Sequence, residues 1–555
     1  MDKRTILAFV LCFIILVGWS FFFAPKQDQA PTKDDAAQKE LSGEMPRAPE
    51  APGITHPAPS EVPGKMAGVV IPKADEKEIE INTPLYRAVF TNVGPSIKSF
   101  ELKEYRQTID PDSPLIELVS LKKDMGDFLH IDFDNPSANQ KEKIVYQTDQ
   151  QTIRIGPESP HKDLVFRSET SNGLSIKHVY RFYPDQYRID LVIDVVSQSP
   201  DPISGTFVAN IKSLPPKEKT SYYSYVGLAL LLNDELEEVE IEKTTEPEEM
   251  LGKIDWMAYE DDFFISAIIP EKKPKGVFKG RLLPSGVLHG TYLPPPVSLN
   301  PSERVSSHYT LYFGPRDLGI LKDLGEKLDL AVNFGWTDII GKPLLYLLRF
   351  FNQHIHNYGV SIILLTILIK ILFWPLTHKS YKSMKEMQKL QPRMAKLREK
   401  YKNDKQKLNA EMMALYKTYK VNPMGGCLPM IIQIPVFFAL FRILGNAIEL
   451  RHAPFILWIN DLSAPDRLFN FPFTIPFMSP PYGIPVLTLL MGASMFLQQK
   501  MTPTPGDPMQ AKIMMFLPII FTFMFINFPS GLVLYWFVNN ILSIGQQYRI
   551  HKSSA

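Results

Sequence analysis

Residues 5–24, TILAFVLCFIILVGWSFFFA, run for twenty positions without a charge. At helical rise such a run matches the ~30 Å hydrocarbon core of a bilayer, so it can cross a membrane as one helix. A cleaved signal peptide is the rival reading, because Lys3 and Arg4 precede the run. Against it, the run ends in bulky Trp19, Phe21, Phe22 and Phe23 with no small-x-small cleavage site, and Leu11 precedes Cys12 where lipoprotein processing would need a small residue. Residues 1–24 are therefore expected to be an uncleaved anchor.

Five further apolar segments follow, at 358–377, 425–444, 482–499, 511–527 and 532–548. Loop charge orients them. Residues 378–424 hold thirteen Lys/Arg and four Asp/Glu, whereas 446–481 hold two and three. The positive-inside rule puts the first loop in the cytoplasm and the second outside. Six spans then alternate consistently, with both termini cytoplasmic, a short tail at 549–555, and residues 25–357 outside. Charge over the whole chain is nearly balanced, Lys+Arg 60 against Asp+Glu 59, so no global footprint for nucleic acid exists. Cys12 and Cys427, the only two cysteines, both fall in apolar runs, which excludes a disulfide framework and a cysteine zinc site.

The outer part has two textures. Residues 25–75 are rich in Pro, Ala and charge and nearly free of aromatic residues, the composition of a flexible tether. From 76 to 315 the hydrophobic period becomes two, as in the stretches 85–90 and 175–182, and the latter turns through Pro184-Asp185 into 187–194. Alternation broken by Pro, Gly and Asn predicts a large antiparallel β-sandwich, assigned with its connection to 76–340. At 341–357 the rhythm changes again: Leu344, Leu348, Phe351 and Ile355 recur at helical spacing with Lys342, Arg349, Gln353 and His356 opposite. That is an amphipathic helix able to lie flat in the outer interface, or else to pack on the sandwich. His354 and His356 look like a metal pair, but at i,i+2 on a helix they point apart.

The basic loop, 379–421, reads as a helical hairpin. Met384, Met387, Met394, Leu397 and Tyr401 fall near heptad spacing, and the pattern resumes at Leu408, Met412, Leu415 and Tyr419 after a short polar turn. Its charges serve the positive-inside signal. Its methionines, including Met384, Met387, Met394 and Met412, with Leu397, are adaptable side chains suited to a surface that meets varied apolar partners.

The segments from 358 to 548 contain no Asp, Glu or His. Arg442 and Lys512 sit at segment ends; Lys370 is the exception, the thirteenth residue of its segment, with Thr366 one turn before it. An ammonium at such depth costs ~2.5–3.5 kcal/mol on insertion scales and by default marks a water-filled cavity or a function, although snorkelling towards the cytoplasmic end is the plain alternative. Gln433, Asn539, Asn540, Ser543 and Gln546 are also polar; each alone is a helix–helix hydrogen-bonding group, while together with Lys370 and Thr366 they could line one hydrophilic groove.

Three stretches carry a resemblance: NPMGGCLPMIIQIP at 422–435, FPSGLVLYW at 528–536 and DPMQ at 507–510, with YFGP at 312–315. They resemble the YidC membrane protein insertases of bacteria with two membranes, over the whole chain. The resemblance implies a polytopic α-helical membrane protein of six spans, with a five-helix insertase core at 358–548 and a periplasmic β-supersandwich domain, in the cell inner membrane. It implies a cationic groove residue, usually Arg, at the position of Lys370, and substrate contact by the pair matching Tyr535 and Trp536. Lys keeps the charge but loses the guanidinium fork. Implied partners are nascent inner-membrane proteins, membrane lipid, the Sec translocon and the ribosome or targeting machinery.

The expected activity is insertion without cofactor, metal or catalytic residue. No phosphate-cradling Gly-rich loop is present, so nucleotide has no role. A secondary transporter should show inverted repeats and partnered membrane carboxylates, and neither is evident. A membrane-tethered carbohydrate-binding or carbohydrate-processing protein would place carboxylates in the sandwich. Glu260, Asp261 and Asp262 are available, but read most simply as a solvated face.

Overall fold

The computed structural model describes residues 76–552 apart from 122–124, 126, 136–143, 217–224, 240–246, 420, 422–427 and 503–507. The expected anchor 1–24 and tether 25–75, the first six residues of the 422–435 motif, Asp507 and the tail beyond 552 lie outside the described residues.

Period-two sequence becomes two packed sheets. In the first, Thr152–Arg154 pairs with Glu78–Asn82, followed by Tyr86–Thr91 and Ser96–Arg106; Leu129–Asp134, Ile203–Ser213, Leu288–Leu293 and Lys275–Leu282 continue it. In the second, Glu235–Glu238, Gly227–Leu232, Glu248–Glu260, Phe264–Pro270, Arg304–Pro315, Arg188–Ser197, Leu174–Phe182 and Lys162–Glu169 are adjacent in that order. Strand Glu248–Glu260 serves both: its first half pairs with Lys275–Leu282 and its second with Gly227–Leu232 and Phe264–Pro270. These pairings are antiparallel except Glu78–Asn82 with Thr152–Arg154. Burial alternates strictly along Leu174–Phe182 and Ile203–Ser213, as one buried face demands. The core between the sheets is aromatic. Phe90 meets Tyr180 and Phe182 edge-on at 5.1 and 5.6 Å, and Phe100 lies 4.9 Å from Phe313. Each such fully buried ring contributes roughly 1.5–3 kcal/mol.

Helices follow: α1 (Leu318–Leu324), α2 (Asp338–Ile355), α3 (Tyr358–Leu372), α4 (Trp374–Lys400), α5 (Lys405–Thr418), α6 (Leu428–Asn446), α7 (Val486–Met501), α8 (Pro508–Phe525) and α9 (Ser530–Lys552). Asn357 caps α3 by accepting from the Val360 N–H at 3.0 Å. The second apolar segment, expected to run straight to residue 377, ends instead at Leu372, and α4 leaves at 65°. Pro375 explains the break: lacking an N–H it suits the first turn of a new helix and not the interior of an old one. No single described helix is long and apolar enough to cross a membrane; α3 and α4 pass that test only as a bent pair. In α9, Asn540, Ser543, Gln546 and Gln547 lower the apolar average, yet all four are buried against neighbouring helices.

The sandwich meets the helices through polar clamps. Asp317 caps α1, accepting from the Gly319 and Ile320 N–H groups, and also accepts from Arg349 of α2 at 3.0 Å. Arg349 lies 3.5 Å from Glu449, beyond the end of α6. Arg451 donates to the Arg106 carbonyl at 2.6 Å and lies 5.6 Å from the rings of Phe263 and Phe264. Helix α2 buries Gly341, Leu345 and Leu348 against the bundle, while Ile339, Tyr346 and Phe350 form a second, exposed apolar stripe. Of the residues expected on its apolar face, Leu344 and Phe351 pack at the margin of the core and Ile355 stays exposed. The acidic triplet at 260–262 is not a solvated face: Glu260 and Asp262 are buried, and Asp261 caps the turn through the Phe263 and Phe264 N–H groups at 2.8 and 2.7 Å. The triplet follows a central strand, paired on both sides, which isolated sequence does not reveal.

Candidate functional site

A small pocket opens where α3 bends into α4, lined by Ile369, Lys370, Phe373, Leu376, Thr377, Ile432, Gln433 and Asn539. Four helices contribute, and the break at Phe373 makes room between them. Lys370 itself is buried, only 9% exposed. Its Nζ donates to Ser543 Oγ at 2.5 Å and to Asn539 Oδ1 at 3.3 Å, two residues one turn apart on α9. No carboxylate among the described residues pairs with it. The ammonium is thus held by neutral dipoles, which orient it without neutralising it, and its charge acts on whatever enters the pocket.

Gln433 faces the pocket from α6 and donates through Nε2 to the Tyr535 hydroxyl at 3.0 Å. Tyr535 is buried behind it. Trp536 lies in an aromatic cluster, 4.9 Å from Phe437 and 5.1 Å from Phe525. Thr366 does not reach the pocket; its hydroxyl donates back to the Ile362 carbonyl at 2.6 Å. Asn540 points elsewhere too, donating to Ser494 of α7 at 3.0 Å. The structure therefore gathers Lys370, Gln433 and Asn539, sets Tyr535 one hydrogen bond behind, and leaves Thr366, Trp536 and Asn540 in the packing. Thr377 is the lining residue that sequence reasoning missed. It accepts from Gln546 Nε2 at 2.9 Å, and its spacing of seven from Lys370 was the available signal.

In the hairpin of α4 and α5, Met387, Leu390, Met394 and Val421 form a buried cluster, with Met412, Leu415 and Tyr416 packed against it. Of the methionines expected to meet clients, Met387 and Met394 thus face the partner helix, Met412 packs on them in part, and Met384 is buried outside this cluster. Leu397 is half-buried and Tyr419 is exposed beneath the Arg393 guanidinium, 4.9 Å away. Met413 is the exposed methionine of this pair.

Residues 453–484 close over the starts of α3 and α9. Asn357 donates to the Phe455 carbonyl at 3.1 Å, and the N–H groups of Ser530 and Gly531 at the start of α9 donate to Ala464 and Leu462 at 2.7 and 2.9 Å. Asp466 caps α7 and accepts from the Trp458 indole at 2.6 Å.

Two family models match the chain: the YidC periplasmic domain over residues 78–347 and the 60Kd inner membrane protein over 350–555. A membrane protein insertase YidC of Geobacter metallireducens is 41% identical over 557 residues, covering 100% of this chain and 99% of that relative. The corresponding protein of Syntrophus aciditrophicus is 43% identical over 563 residues, covering both chains fully, at 100%. A solved structure of an active YidC insertase, with its first transmembrane domain resolved, covers 86% of this chain and 93% of its own at 17% identity and a TM-score of 0.36. Family assignment rests on the full-length relatives.

Proposed function

The chain belongs to the YidC family of membrane protein insertases, a family of insertases rather than enzymes, and from that premise we propose that it inserts inner-membrane proteins by receiving their polar flanks in the Lys370 pocket. The observation that carries the reading is a buried cation held by Asn539 and Ser543 at the wall of a pocket, with no carboxylate partner among the described residues.

An apolar client segment enters lipid downhill, at about −0.3 to −0.6 kcal/mol per central residue, so the barrier lies in the polar tail that must cross. Lys370 offers that tail a countercharge part-way, while Gln433, Asn539 and Thr377 replace some of its lost water. Cargo leaves sideways into the bilayer, past Tyr535 and Trp536. In this reading the chain makes six spans, with α3 and the start of α4 forming one bent crossing, the sandwich lies in the periplasm, and both termini and the α4–α5 hairpin lie in the cytoplasm. The hairpin receives clients from the ribosome or targeting machinery, and the protein acts alone or beside the Sec translocon.

Reconstitution of the full chain into proteoliposomes tests this. A single-span client with an acidic translocated tail should become protected from external protease in their lumen. Protection no greater than in protein-free vesicles would overturn the proposal.

A further inference from the structure

Between Arg467 and α7 the outer segment makes a tight hairpin whose residues 468–484 carry no charge, but four Phe and four Pro. Leu468 and Ile484 exchange both backbone hydrogen bonds at 2.8 and 2.9 Å, and the Phe471 N–H donates to the Tyr482 carbonyl at 2.8 Å. Gly483 is required by close approach, since a Cβ there would stand 2.2 Å from the Phe469 carbonyl oxygen.

The tip is pinned to the end of α8. Asn527 accepts from the Ser479 N–H at 2.8 Å and donates to the Phe477 carbonyl at 3.0 Å. Arg467 spends its guanidinium on the carbonyls of Pro481 and Ile526, both at 2.8 Å, and of Ser479 at 3.3 Å. These bonds and the four prolines, which carry no N–H, lower the number of backbone donors left to solvent, which suits a hydrated interface rather than the hydrocarbon core.

The side chains turn outward. Phe469, Phe473 and Phe477 are 66%, 60% and 88% exposed. Phe469 and Phe477 hold φ of 61° and 63°, a left-handed backbone that bulky residues rarely adopt, so the fold accepts strain to turn these rings outward. Asn527, which pins the tip, lies one turn beyond the exposed apolar residues of α8, Phe516, Ile519, Ile520 and Phe523.

We propose that hairpin 468–484 is seated in the outer-leaflet interface of the bilayer, with Phe469, Phe473 and Phe477 as its lipid contacts. Separate projecting rings, no charge and a tip pinned one turn beyond exposed apolar helix residues fit an acyl-chain and headgroup boundary. The inference rests on the spanning arrangement proposed above.

The test uses the full chain with Cys12→Ser and Cys427→Ser, reconstituted in phosphatidylethanolamine/phosphatidylglycerol bilayers. Nitroxide labels are placed singly by Phe473→Cys, Phe477→Cys, Ile520→Cys as a lipid reference and Glu169→Cys as a water reference. Collision with oxygen should exceed collision with a water-soluble nickel chelate several-fold at 473 and 477, as at 520. Chelate access at 473 and 477 equal to that at 169, with 520 still lipid-like, would overturn the proposal and leave the spanning reading intact. Labels that neither reagent reaches would mean a protein occupant, which also overturns it. Chelate access at 520 itself would sink the spanning reading and this inference together. Should the labelled variants fail to accumulate, Phe477→Trp is the second measurement: its added fluorescence should be quenched by shallowly brominated lipid, and absence of quenching overturns the proposal.

Discussion

Two buried ionisable side chains set the residue-scale behaviour, and they do so differently. Lys370 is held by Asn539 and Ser543 with no carboxylate opposite. Opposite charges 4 Å apart gain about 4 kcal/mol at an effective dielectric near 20, comparable to the cost of carrying one carboxylate inward. Lys370→Arg should therefore retain insertion. Lys370→Ala and Lys370→Glu should slow clients with acidic tails by about tenfold or more, since roughly 1.4 kcal/mol of lost barrier reduction is already tenfold. Matched neutral-tailed clients should suffer less, and protease protection at equal protein levels compares them. Equal handling of the acidic tail by Lys370→Glu would reduce this residue to a snorkelling lysine. Glu449 sits instead beside Asp317 and Arg349, with Tyr105, Tyr358 and Arg451 nearby; burial first, and then Asp317, push its carboxyl up from 4.5 to about 7. A raised acid pKa means the folded state binds the extra proton between those values. The junction is then firmest below pH 4.5 and loosens as pH rises through about 7. Hydrogen-exchange protection at α1 and around Glu449, corrected for the intrinsic base catalysis of exchange, should fall from pH 5 to pH 8, and Glu449→Gln should flatten that profile; an unchanged profile would remove Glu449 from the account. Position along the chain announced Lys370, because an isolated cation in an apolar run stands out. It did not announce which polar neighbours would turn towards it. Thr366 had a nearer acceptor in its own helix, and Asn540 one in α7.

Among elements, the α4–α5 hairpin shows what periodicity conveys and what it leaves out. The seam Met387 and Met394 was legible from heptad spacing, and the structure extends it through Leu390 and leaves Met384 buried outside it. Heptad spacing could not say whether those methionines meet a partner helix or a client, since both uses need the same apolar face. Because the seam closes on itself, replacing 384–419 by a short Gly/Ser linker should leave the helical bundle folded and slow client capture. Crosslinking from Leu397 or Met413 to a ribosome-held chain would report that contact, and equal capture with and without the hairpin would count against it. Helix α2 taught the converse. Its sequence pattern located a helix correctly, but tertiary packing on α3 and α6 chose Leu345 and Leu348 for burial and left Ile339, Tyr346 and Phe350 outside. An apolar residue on a helix with neighbours on two sides has more than one way to be buried, and spacing alone does not choose.

For the whole molecule, the division between a period-two outer part and a period-3.6 remainder was readable from residue 76 onward, because each period serves a different way of satisfying the backbone. The clamps joining the two were not, since Asp317, Arg349, Arg451 and Glu449 look like ordinary surface charges until the fold brings them together. The proposed function puts insertion in the helices, so deleting most of 76–315 while keeping Asp317 and α2 should preserve substantial insertion of a simple single-span client. Loss of insertion by a deleted protein that remains stable in the membrane would defeat that division of labour. The bend at Phe373 has a mechanical side. Phe373, Leu376 and Thr377 line the pocket at the root of a 27-residue helix, which is a rod of about 40 Å. A rod pivoted at its root amplifies: a tilt of about 5° there moves its far end by about 3–4 Å. Cargo wedged beside Lys370 would thereby swing the hairpin tip, so that an occupied pocket is signalled at the cytoplasmic end without any contact there. Spin-label distances between the tip and α9 should shift when a client is trapped, and an unchanged distance distribution would leave α4 a passive strut.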